Sequence, residues 1–128
     1  MKNLITALLG LTAAAAMAAP VEGWLHMRGP LQTGVSLEKR LPDRIQPADA
    51  LWTANLPGRS TPTIANGKIF VVGHLGEGAN LQEGVFCFDA ETGGKLWERK
   101  FNDFLSDIIY TRYSASSPTI DPETGNLF

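Results

Sequence analysis

The chain is built from short apolar runs separated by glycine, proline and charged residues, and little of it sustains a helical period. The clearest unit is residues 84–100, GVFCFDAETGGKLWERK. Val85, Phe86, Cys87 and Phe88 form an apolar run, and Leu96 and Trp97 stand among charged neighbours. Between the two runs, Asp89-Ala90-Glu91-Thr92-Gly93-Gly94 has the acidic start and paired glycines of a tight reversal, so the stretch predicts a β-hairpin. Upstream, residues 51–56 (LWTANL) predict a half-buried strand ended by Pro57-Gly58. Residues 60–64 predict a further extended piece, with Pro62 near its start or on an edge. Asn66-Gly67 is the strongest two-residue hairpin signal, because both positions tolerate positive φ, and it leads into a strand over 68–73. A loop over 76–83 then returns to the central hairpin.

The flanking segments read differently. Residues 22–36 are interrupted by Gly23, Gly29, Pro30 and Gly34, which predicts an irregular arm anchored by Trp24 and Met27. Arg28, just before Gly29-Pro30, suits a charge-assisted hydrogen bond that fixes the turn, with a ligand-binding arginine as the competing role. Residues 37–50 form a polar connector. After Lys100, apolar residues at 101, 104, 105, 108 and 109 fit one face of a short helix as well as a structured loop. Ser-Pro-Thr-Ile at 117–120, a glycine turn over 121–126 and a strand starting at Leu127-Phe128 complete the pattern.

Parts of this pattern recur. Leu51-Trp52 returns as Leu96-Trp97, and Pro62-Thr63-Ile64 returns as Pro118-Thr119-Ile120. Asn66-Gly67-Lys68-Ile69-Phe70 resembles Thr124-Gly125-Asn126-Leu127-Phe128. The offsets differ, which an insertion at 101–112 explains. Four short strands per unit at a period of roughly 40–50 residues predict an all-β propeller of four-stranded blades. Trp52 and Trp97 would then act as wedges between neighbouring blades. A propeller needs about four to eight blades, so the chain is expected to hold the first blade and the start of the next, as an N-terminal fragment.

Composition narrows the function. Lys and Arg number 11 against 13 Asp and Glu, for a net charge of −2, and no basic patch suits a nucleic acid. Lys2, the apolar run 4–11 and the small residues 13–19 before Pro20 have the form of a secretory signal peptide. This predicts a periplasmic or secreted protein cleaved after Ala18 or Ala19, with no membrane span after the signal is removed. The expected division is a signal peptide at 1–19, an arm and connector at 20–50, and a partial propeller at 51–128. Cys87 is the only cysteine, so no internal disulfide can form, and its apolar neighbours predict a buried small hydrophobe. His26 and His74 lack metal-ligand spacing. Asp103, Asp107 and Tyr110 suit either a binding rim or a solvated loop. There is no local serine nucleophile elbow and no phosphate-binding glycine loop.

Phe88 to Trp97 resembles the repeat of pyrroloquinoline-quinone-like (PQQ-like) β-propellers, with its Ala-x-Asp-x-x-Thr-Gly-x-x-x-Trp pattern. Asp89, Thr92, Gly93 and Trp97 fill the Asp, Thr, Gly and Trp places, whereas the small residue before Asp is bulkier here. Trp24, Arg28, Gly29 and Pro30 are similar to the Trp-x-x-x-Arg-Gly-Pro opening of secreted bacterial PQQ-like repeat proteins. The resemblance implies one of two functions. The first is a non-catalytic scaffold, similar to the propeller component of outer-membrane protein assembly, that meets other proteins through its face loops and needs no cofactor. The alternative is an alcohol or sugar dehydrogenase that depends on PQQ and calcium. No catalytic residue is assigned; Asp89 reads as a turn carboxylate rather than a metal ligand.

Overall fold

The computed structural model describes residues 19–102 and 114–128. The signal-peptide reading, apart from Ala19, and the helical reading beyond Asn102 therefore lie outside the described residues. Among the described residues five strands follow one another: β1 (Gly23–Trp24), β2 (Thr63–Ala65), β3 (Lys68–Leu75), β4 (Gln82–Asp89) and β5 (Lys95–Asn102). Each pairs antiparallel with the next, giving one flat, open sheet in the order β1-β2-β3-β4-β5.

The local rules explain most of this meander. Asn66 and Gly67, both at positive φ, make the β2–β3 turn. Asp89 to Gly94 makes the β4–β5 turn. The two turns meet where the Ala90 amide donates to the Gly67 carbonyl at 2.9 Å. Gly78–Asn80 is a short 3₁₀ turn that carries the chain from β3 to β4.

Register assigns the faces. Phe70 pairs with Cys87 and Cys87 with Trp97, so these three share a face. Ile69 pairs with Phe88 and Val71 with Phe86, which puts that set on the other face. β4 is buried on both faces: Phe86 is 2% exposed, and Cys87 and Phe88 are buried beside it. Burying one such aromatic contributes about 1.5–3 kcal/mol.

Cover for the Phe86–Phe88 face comes from residues 51–58. Trp52 packs against Phe88, Leu56 lies against Gly73, and the His74 amide donates to the Pro57 carbonyl at 2.9 Å. A second cluster joins Leu25, Ala65 and Ile120, with Val21, Phe70 and Leu127 packed on it. There the arm is held between two partners. β1 pairs with β2, while the Ile120 amide donates to the Leu25 carbonyl at 2.9 Å and the Val21 amide to the Pro122 carbonyl at 2.8 Å.

Several expectations are corrected. The structure is not a β-propeller, so the PQQ-like, quinoprotein-like and repeat-blade readings fall with it: a single open sheet takes the place of packed blades. The wedge role of the two tryptophans also fails. Trp52 lies against Phe88 and Trp97 against Phe70, so the two indoles sit on opposite faces of the same sheet. Residues 51–56 form no strand; Leu51 is 86% exposed, and the segment crosses a sheet face instead of joining a ladder. Residues 23–24, read as irregular, are a strand. Gly23 permits it, because a Cβ there would lie 2.1 Å from the Ile64 carbonyl oxygen. Phe101 and Asn102 extend β5 and do not open a helix.

Candidate functional site

Asp89 and Asp121 occupy two copies of the same turn. The Asp89 Oδ1 accepts from the amides of Glu91 at 3.1 Å and Thr92 at 2.8 Å, and from the Thr92 hydroxyl at 2.8 Å. Asp121 accepts from the Glu123 amide at 3.1 Å and the Thr124 hydroxyl at 2.5 Å. In both turns the glycine amide closes back on the aspartate carbonyl, from Gly93 at 3.0 Å and from Gly125 at 2.8 Å. These hydrogen bonds favour the ionised form. The Thr92 amide and then its hydroxyl hold the Asp89 carboxyl below the usual carboxylate range; at Asp121 the Thr124 hydroxyl leads, followed by the Glu123 amide. Both carboxylates are committed to their own reversals. The turn reading of Asp89 and Thr92 is what the geometry displays.

Gly93 and Trp52 form one unit with that turn. Gly93 has φ 71°, and a Cβ on it would fall 2.4 Å from the Trp52 Cδ2. The indole lies over this backbone, donates from Nε1 to the Ala90 carbonyl at 3.0 Å, and reaches Phe88 with ring centroids 6.0 Å apart. Trp97 keeps separate company, 5.9 Å from Phe70.

The arm residues are also brought together. The Trp24 ring lies against Gly29, where a Cβ would come within 2.8 Å of it. The Arg28 Nη2 donates to the Thr33 carbonyl at 3.1 Å, and the Gly34 amide to the Arg28 carbonyl at 2.9 Å. Arg28 therefore fixes the turn that Gly29 and Pro30 begin.

One polar cluster has no forerunner in the sequence pattern. Ser114 Oγ lies 3.3 Å from His74 Nδ1, and the Ser114 amide donates to the Glu83 carboxylate. His74 and Glu83 are cross-strand partners on β3 and β4, while Ser114 arrives from beyond β5. Nearby, Gly58, Arg59, His74, Glu77 and Leu81 line a cavity of about 360 Å³. Three residue types familiar from nucleophilic catalysis thus converge, but the connections differ. The carboxylate serves the serine backbone, and the serine itself is 1% exposed with φ 55°. Only register and a long-range contact create this cluster, so spacing along the chain gave no signal for it.

The remaining feature is the outer side of β5. Among the described residues no strand pairs with it beyond β4. It carries Leu96 at 50%, Trp97 at 41% and Phe101 at 49% exposure. The β4–β5 register slips between Cys87 and Phe88, which leaves Leu96 as the extra residue and 97–101 as a regular stretch. Along that stretch Trp97, Arg99 and Phe101 share one face, and Glu98 and Lys100 share the other. Glu98 bridges Lys95 at 2.6 Å and Lys100 at 3.1 Å, and these two lysines hold its carboxyl below the usual range.

Among the described residues, no three of His, Cys, Asp and Glu converge as a metal-holding group, and no helix is long and apolar enough to cross a membrane. Comparison of the chain with protein-family models, with curated proteins and with solved structures finds no match.

Proposed function

We propose that this chain is an exported, non-catalytic interaction module that engages its partner through strand β5. The observation that carries this reading is the outer strand itself: its outer edge pairs with no other strand among the described residues, and Leu96, Trp97 and Phe101 are about half exposed along it. An exposed edge of this kind is a template for strand addition, in which main-chain hydrogen bonds give affinity and side chains give selectivity. The non-catalytic part is supported by the wiring of Ser114, His74 and Glu83, which ties the backbone of 114 to the sheet. Export is inferred from the leader pattern of residues 1–19. The quinone- and calcium-dependent alternative gains no support from the donor set, since Asp89 and Asp121 already serve their turns.

Site-specific photo-crosslinking in an exporting bacterial host tests the reading. A photoreactive residue at position 97 or 101 is expected to give discrete adducts in the exported fraction, while the same residue at position 91, in the β4–β5 turn, gives none. Equal labelling at all three positions, or none at 97 and 101, would refute the role of β5.

A further inference from the structure

The sequence of β5 is complementary to itself, and we propose that the partner on this edge is a second copy of the chain, paired antiparallel about a two-fold axis through Arg99. This inference rests on β5 being the interaction surface. A two-fold axis normal to the sheet keeps each face with its counterpart, so residues facing each other across the axis share a face. With Arg99 at the centre, Glu98 faces Lys100 of the second copy and Lys100 faces its Glu98. On the other face Trp97 meets Phe101 of the second copy, again twice by symmetry. The regular stretch 97–101 is the stretch this register uses, and the bulge at Leu96 bounds it.

Competing registers are poorer. Centring on Glu98 sets two carboxylates against each other and separates the aromatic pair. Centring on Trp97 places Arg99 opposite Lys95, and centring on Lys100 opposes two ammonium groups. The chosen register has one unfavourable contact, Arg99 against Arg99. It occurs once, on the axis, against two Glu98–Lys100 and two Trp97–Phe101 contacts. The opposed Glu98 and Lys100 pairs extend an ion pair that each copy already makes at 3.1 Å.

Sedimentation equilibrium on the purified full chain tests the register, with circular dichroism to verify folding. Wild type is expected at twice the single-chain mass. Glu98→Lys alone puts lysine opposite Lys100, and Lys100→Glu alone puts glutamate opposite Glu98; each should weaken self-association about ten-fold or more. The double variant E98K/K100E restores it. An equimolar mixture of the two single variants should associate more tightly than either alone, because opposite charges then face each other at every pair. Arg99→Ala is expected to strengthen association. A wild-type chain at single-chain mass, or a mixture no tighter than its components, overturns the self-pairing. If position 97 still crosslinks to a different protein in that case, β5 remains the interaction strand. No adduct at 97 removes both readings.

Discussion

Gly93→Ala offers a direct measure of how the β4–β5 turn and Trp52 depend on each other. Gly93 is at φ 71°, where an L-residue costs roughly 1–2 kcal/mol. The added Cβ would also fall 2.4 Å from Cδ2 and 2.6 Å from Cγ of Trp52, so the indole must move. Moving it forfeits the hydrogen bond from Nε1 to Ala90, worth about 1 kcal/mol. It also forfeits the ring contact with Phe88, worth about 0.5–1.5 kcal/mol. The expected total is about 3–4 kcal/mol. Gly67→Ala is the control: its φ is 68°, yet nothing lies within 4 Å of the added carbon, so it should lose only the backbone share. Urea unfolding followed by far-UV circular dichroism would show Gly93→Ala about 2 kcal/mol less stable than Gly67→Ala. In a Trp52→Ala background the two glycine variants should become equivalent. Equal losses in the wild-type background would refute the coupling of turn and indole.

Other outcomes follow from the same contacts. Phe86→Ala should cost about 3–5 kcal/mol by urea unfolding, and Phe101→Ala under about 1 kcal/mol, because only the first empties a core site. Thr63 is fully buried, and among the described residues its hydroxyl has no partner, so Thr63→Val should stabilise the fold by about 1 kcal/mol; a loss would mean that the hydroxyl is satisfied. The depressed Asp89 and Asp121 carboxyls contribute stability that is present above the ordinary carboxylate value of about 3.9 and is lost as pH falls through their folded values. The Asp89→Asn, Asp121→Asn double variant should therefore flatten the acid limb of a stability-against-pH curve. Burial pushes the Cys87 thiol up, with Lys68 a smaller opposing pull, so an alkylating reagent at pH 8 should label Cys87 only as fast as the sheet opens.

The sequence made the turns legible more readily than the assembly. Asn66-Gly67 and the two Asp-x-x-Thr-Gly reversals rest on local geometry, positive φ and hydrogen bonds between residues within a few positions of each other, and their residue types announce it. The strands those turns connect were equally visible, although β5 runs on to Asn102, where the spacing at 101 to 109 suggested a helix. Long-range placement was not legible. Leu51-Trp52 resembles Leu96-Trp97 in letters, but one indole covers a turn glycine while the other stands on an outer strand. Dipeptide similarity carries no information about which face a side chain takes, and a register slip of one residue at Leu96 is enough to change it. The start of the arm, Gly23 and Trp24, was misread for a related reason. Glycines that look like breaks in isolation include Gly23, whose missing side chain lets β1 approach β2. The outer strand was recognised as a strand, but its exposure follows from the order of the sheet, which local pattern does not encode.

The clasp between the arm and residues 120–122 sets an order of assembly. The hairpins of β2 to β5 close over short loops, whereas Val21 meets Pro122 and Leu25 meets Ile120 only after nearly the whole described chain has emerged. A contact between early and late residues carries a high loop-closure cost until the intervening strands have paired and shortened the loop. Amide exchange on Val21 and Ile120 should accordingly report the last latch to fasten and the first to loosen.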